Sequence, residues 1–112
     1  MKKQLKMQLP KLGWKPLQLN VCVREDITPS QSAVQAGHVV AQYMLDSNLE
    51  GWKNSTLVYL GVKSLKKLEL IKLKLEFHGL TYSEFKEPDM DNETTAIACD
   101  VYCPIFERLD LL

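Results

Sequence analysis

The sequence predicts an α/β fold, a single domain with a mixed four-stranded β-sheet flanked by helices on both faces. Three observations carry this. A chain of 112 residues holds one hydrophobic core. A strand, a capped helix and a second strand follow one another between 17 and 62, which implies a crossover and parallel pairing. Two further strand-like runs near the carboxyl end, separated by a short acidic turn, suit an antiparallel pair.

The elements follow in order. Leu17 to Val23 is rich in Leu, Val and Cys, as a sheet interior requires. In Thr28-Pro29-Ser30-Gln31, threonine can cap the first free amides, proline suits the first helical turn and glutamine can complete a capping box. The helix that follows has Ala33, Ala36, Gly37, Val40, Ala41 and Met44 at the spacing of one face, which is therefore expected to pack on the sheet. Leucine at position 37 should then overpack the core. Gln31, Gln35, His38 and Gln42 form a polar stripe on another side. Residues 46 to 54 read as a connection with Trp52 turned inward.

Thr56 to Val62 is a buried strand. Ser64 can cap a second helix and Gly79 can end it, with Leu65, Leu68, Ile71 and Leu75 as its apolar face. The segment KLELIKLKLEF also alternates like a strand, but its length, its caps and its Leu, Lys and Glu content favour helix. Leu80 to Lys86 and Thr94 to Tyr102 complete the sheet.

Hydrophobic residues make up 46% of the chain and charged residues 25%, as in ordinary globular domains. No apolar run approaches the roughly 20 residues that span a bilayer, and charges and Pro10 interrupt the basic amino terminus before a signal-peptide core can form. The expectation is a cytoplasmic protein with no membrane partner. The three cysteines, Cys22, Cys99 and Cys103, match neither a redox pair nor a zinc knuckle. Two of them lie in apolar strands, where a free thiol more often packs as a small hydrophobe than serves as a nucleophile beside His38.

The formal net charge is zero, yet residues 1–17 hold Lys2, Lys3, Lys6, Lys11 and Lys15 and no acid, so the remainder carries −5. A basic amino-terminal extension (1–17) thus precedes a mildly acidic domain (18–112). Such an arm can contact a phosphate backbone or a partner, or be a solvated tail.

The chemistry is expected where the end of the first strand, the start of the first helix and the acidic turn meet on one sheet edge. A helix amino terminus and Arg24 favour phosphate. Asp89, Asp91 and Glu93 could be metal ligands, but a turn of this composition is commonly solvated, so no metal is expected. No phosphate-binding glycine loop, zinc-protease helix or nucleophile elbow is present.

The segments NVCVRED (20–26), AVQAGHVVAQYM (33–44), TLVYLGV (56–62), FKEPDMDNETTAIA (85–98) and FERLDLL (106–112) stand in an order that resembles the type 2 peptidyl-tRNA hydrolase family. The resemblance covers about Leu19 to Leu112. It implies a cofactor-independent hydrolase that cleaves the ester between a peptide and the terminal ribose of tRNA, with peptidyl-tRNA as partner and a homodimer compatible with it. It also implies functional roles for Thr95 and for Glu87 or Asp89; His38, on the polar stripe of the first helix, is expected beside them as a proton donor to the leaving oxygen. Gln31 occupies the position of a family lysine and cannot supply its charge. Arg24 or Lys53 would supply it instead, with Gln31 and Gln35 beside the substrate. The neutral Gln31 keeps open a noncatalytic tRNA- or protein-binding module on the same fold.

Overall fold

The computed structural model describes residues 15–112. Strand β1 (Lys15–Arg24) leads through a three-residue bend to helix α1 (Pro29–Asp46). Strand β2 (Leu57–Val62), helix α2 (Leu65–Phe77), strand β3 (Ser83–Glu87), strand β4 (Glu93–Tyr102) and strand β5 (Asp110–Leu111) follow. The sheet order is β3-β4-β1-β2-β5. As the crossover implies, β1 and β2 are parallel, and β3 and β4 are antiparallel.

The sheet therefore has five strands where four are expected. The additional strand is two residues long and pairs antiparallel with β2 at Leu60 and Gly61. Asp-Leu is too short to show a periodicity, and it is backbone pairing with the edge of β2 that makes it a strand. Because β1 begins at Lys15, the boundary expected after residue 17 falls inside a strand, and residues 1–14 of the basic extension lie outside the described residues.

Both helix starts form as their sequences require. Thr28 Oγ1 accepts from the Gln31 amide at 3.2 Å, and Ser64 Oγ accepts from the Lys67 amide at 3.2 Å. Helix α2 closes with Gly79 at φ 72° and the Leu80 amide on the Leu75 carbonyl, a turn only a residue tolerant of positive φ makes cheaply. This closure delays β3 to Ser83.

Side-chain parity along the strands divides the core in two. Leu19, Val21, Val23, Ala96 and Ala98 pack with Ala36, Val39 and Tyr43 of α1. Cys22, Leu60, Val62, Ile97 and Cys99 pack with Leu68, Ile71 and Leu75 of α2. One helix thus covers each face.

Helix α1 is rotated from the face its apolar spacing predicts. Its buried residues are Ser32, Gln35, Ala36, Val39 and Tyr43, whereas Ala33, Gly37 and Ala41 are exposed. Specific polar partners set this rotation. Ser32 Oγ donates to the Arg24 carbonyl (2.9 Å), and Tyr43 Oη donates to Asp100 (2.7 Å) while accepting from the Trp52 amide (2.9 Å). Trp52 does turn inward, and its indole donates to the Thr56 carbonyl at 2.8 Å. Gly37 has open space around it, so the overpacking expected there does not apply.

Candidate functional site

The carboxyl ends of β1 and β3, the amino end of β4 and the start of α1 share one edge, as the sequence leads one to expect. Side-chain contacts join them. Arg24 Nη1 lies 2.7 Å from Glu93 Oε1, and Gln35 Nε2 donates to Glu87 Oε1 at 2.8 Å.

Thr95 is placed by an irregularity. Phe85 pairs with Ala96 but Lys86 pairs with Thr94, so Thr95 is the extra residue of a β-bulge. Regular alternation would aim Thr95 at α2. Instead Thr94 bonds Glu84, which also holds Lys72 of α2, while Thr95 Oγ1 donates to Gln35 Oε1 of α1 at 2.7 Å. The resulting chain runs Thr95 to Gln35 to Glu87. The Gln35 amide is thereby fixed, its oxygen accepting and its nitrogen donating.

Glu87 caps a short 3₁₀ turn, Pro88–Met90, by accepting from the Asp89 amide at 3.2 Å. Asp91 and Asn92 then adopt left-handed conformations that reverse the chain into β4. The hydrogen bond from Gln35, the Asp89 amide and the nearby His38 lower the Glu87 carboxyl below its ordinary range. It is therefore a carboxylate at neutral pH. His38 is exposed and stacks on Phe85, with ring centroids 4.4 Å apart and planes 5° from parallel. The Phe85 carbonyl lies 3.5 Å from Thr95 Oγ1, so the stacked pair abuts the same chain of bonds.

Among the residues expected at the site, the structure brings together Glu87, Gln35, Thr95 and His38. Thr95 is fully buried, with its hydroxyl donating to Gln35. Asp89 is exposed at the turn and contributes its backbone amide to Glu87. Gln31 is exposed one helical turn before Gln35.

Arg24 does not present a guanidinium to phosphate. It is buried, with Nε and Nη2 on Asp26 at 2.9 and 2.8 Å and Nη1 on Glu93 and the Thr94 carbonyl. The hydrogen bonds it donates to Asp26 are the largest influence raising its affinity for the proton, and Asp26 is lowered in turn. Arg24 is a clamp between the end of β1 and the start of β4. Lys53 lies after the far end of α1, its Nζ on the Leu49 carbonyl at 3.1 Å, about 20 Å along the helix from Gln31 at 1.5 Å per residue. It cannot replace the charge missing at Gln31.

The three cysteines are buried among the residues that pack with α2, across the sheet from His38, and burial raises each thiol. They are packing residues. No helix among the described residues is long and apolar enough to cross a membrane.

No family model and no curated protein matches the chain. Among solved structures it is similar to the protein of unknown function Atu0240 from Agrobacterium tumefaciens str. C58. The TM-score is 0.64 at 11% identity, over 85% of this chain and 96% of that one. At that identity the similarity speaks for a shared fold alone.

Proposed function

We propose that the chain is a cofactor-independent esterase that hydrolyses the bond between a peptide and the terminal ribose of tRNA, acting in the cytoplasm. The observation that carries this reading is the ionised Glu87 held by Gln35, beside an exposed imidazole, on the sheet edge where α/β folds bind ligands. The ordered motifs that resemble the type 2 peptidyl-tRNA hydrolases supply the substrate.

Water is the nucleophile in this scheme, because none of the thiols is activated. Glu87 accepts a proton from water as its oxygen adds to the ester carbonyl carbon. The bond from that carbon to the ribose oxygen then breaks, and His38 donates a proton to the departing oxygen. Gln35, locked by Thr95, holds the Glu87 carboxylate in one orientation, and orientation is worth much of such a barrier.

One observation favours a second reading, a noncatalytic module that holds a tRNA acceptor end or a protein. With Gln31 neutral and Arg24 consumed by its own carboxylates, no free cation among the functional candidates stands at the edge. Amide substitution at Glu87 separates the two. A hydrolase loses turnover and keeps its affinity for peptidyl-tRNA. A binder holds RNA equally well or better once the negative charge is gone.

A further inference from the structure

The α2 face carries a feature that the hydrolase scheme does not use. A groove of about 290 Å³ opens between α2, the end of β2 and the segment preceding β5. Its apolar lining includes Val62, Leu70, Ile71, Ile105 and Leu109. Lys63, Lys67, Lys74 and Arg108 stand around this lining, against only Glu25 and Asp110. All four cations are exposed, and none forms an ion pair among the described residues, in contrast to Lys72 and Arg24. Along α2 the groove continues into a shallower depression that shares Lys67 and Leu70. Leu73 of that depression and Phe77 beyond it are 62% and 85% exposed.

We propose that this groove is a docking site for an acidic segment of a partner protein that carries apolar side chains at helical or extended spacing. Charge complementarity selects the occupant. The amino-terminal segment of this chain is itself basic and would be repelled. In a second copy's turn Glu87 is held by Gln35 and Glu93 by Arg24, and the exposed Asp89 and Asp91 have only Met90 between them as an apolar anchor, too little to fill this lining. A nucleic-acid backbone would satisfy the cations but leave the accessible aliphatic side chains Leu70, Ile105 and Leu109 facing phosphate and sugar. A bilayer presents a plane, whereas this surface is concave. An acidic segment with apolar anchors matches both the lining and its cationic surround. Helix α2 spans about 20 Å, enough for three turns of a partner helix.

The test uses the full chain and a fluorescent 15-residue peptide with Leu on one helical face and Glu elsewhere. Companion probes replace Glu by Gln or Leu by Ser, and a 15-nucleotide single-stranded RNA and phosphatidylserine vesicles complete the set. The Glu/Leu peptide should bind saturably, and Lys67→Glu with Arg108→Glu, or Leu70→Asn, should each weaken it about tenfold or more. Amide shifts in the wild-type chain should map to α2 and residues 104–110, which decides the matter even if a variant folds poorly. The proposal is overturned if the peptide fails to bind or its shifts map elsewhere. It is equally overturned if RNA or vesicles bind more tightly at these residues. The groove lies across the sheet from Glu87, so neither result bears on hydrolysis.

Discussion

Thr95 Oγ1 stands 2.7 Å from Gln35 Oε1, joining a bulged strand residue to the first helix inside the core. Both side chains are buried, and the bond orients the Gln35 nitrogen toward Glu87. Gln35→Leu should destabilise the fold by about 1 to 3 kcal/mol, because it deprives a buried hydroxyl of its short bond. Adding Thr95→Val should recover part of that loss, since an apolar pair has nothing left unsatisfied. Denaturant unfolding of the two single variants and the double variant checks the coupling.

Arg24 provides a second prediction, opposite to the one its sequence position invites. Because its donors are spent on Asp26, Glu93 and the Thr94 carbonyl, Arg24→Ala should lower stability by about 1 to 3 kcal/mol, the scale of hydrogen bonds to charged groups. The slope of RNA affinity against salt should stay unchanged, since no phosphate contact is lost. Thermal melting and a salt titration measure the two effects separately.

Much of the fold was legible in the sequence. Thr28 and Ser64 cap the two helices, Gly79 ends the second, and the carboxyl end of β1 meets the acidic turn. What could not be read was set by tertiary contacts. Apolar spacing aimed Ala33, Gly37 and Ala41 at the sheet, but Ser32, Gln35 and Tyr43 are the residues with partners on it. At the site, the family pattern singled out Thr95, while its burial and its inward aim follow from a bulge that alternation does not encode. Which of Glu87 and Asp89 reaches Gln35 was equally closed to sequence, because the short 3₁₀ turn that places them is set by tertiary contacts.

The open space at Gly37 reverses another expectation. Gly37→Ala should stabilise the protein by about 0.5 to 1 kcal/mol, the ordinary helical preference for alanine, because no neighbour lies within 4 Å of the added carbon. A lowered denaturation midpoint would place that face in contact with something.

Acid sensitivity follows from the carboxylates held below their usual range. Hydrogen bonding from Arg24 lowers Asp26, and Lys72 and Thr94 outweigh burial to lower Glu84. A carboxyl lowered by folding contributes stability that is complete above its unfolded value, about 3.9 for Asp and 4.3 for Glu, and is lost as pH falls through the folded value. Melting temperature should therefore be flat from neutral pH to about 5 with respect to these groups, then decline as acid is added. The lowered Glu87 should likewise keep the base limb of hydrolysis below the ordinary glutamate range.

The account turns on Glu87. Its most direct test is single-turnover release of tRNA from an N-blocked aminoacyl-tRNA by purified wild-type protein and by Glu87→Gln, with affinity measured in parallel. The wild type should cleave the ester, and the Glu87→Gln variant should cleave it about a hundredfold or more slowly with affinity little changed. Intact substrate with the wild type, or equal rates for the two proteins, would contradict the account.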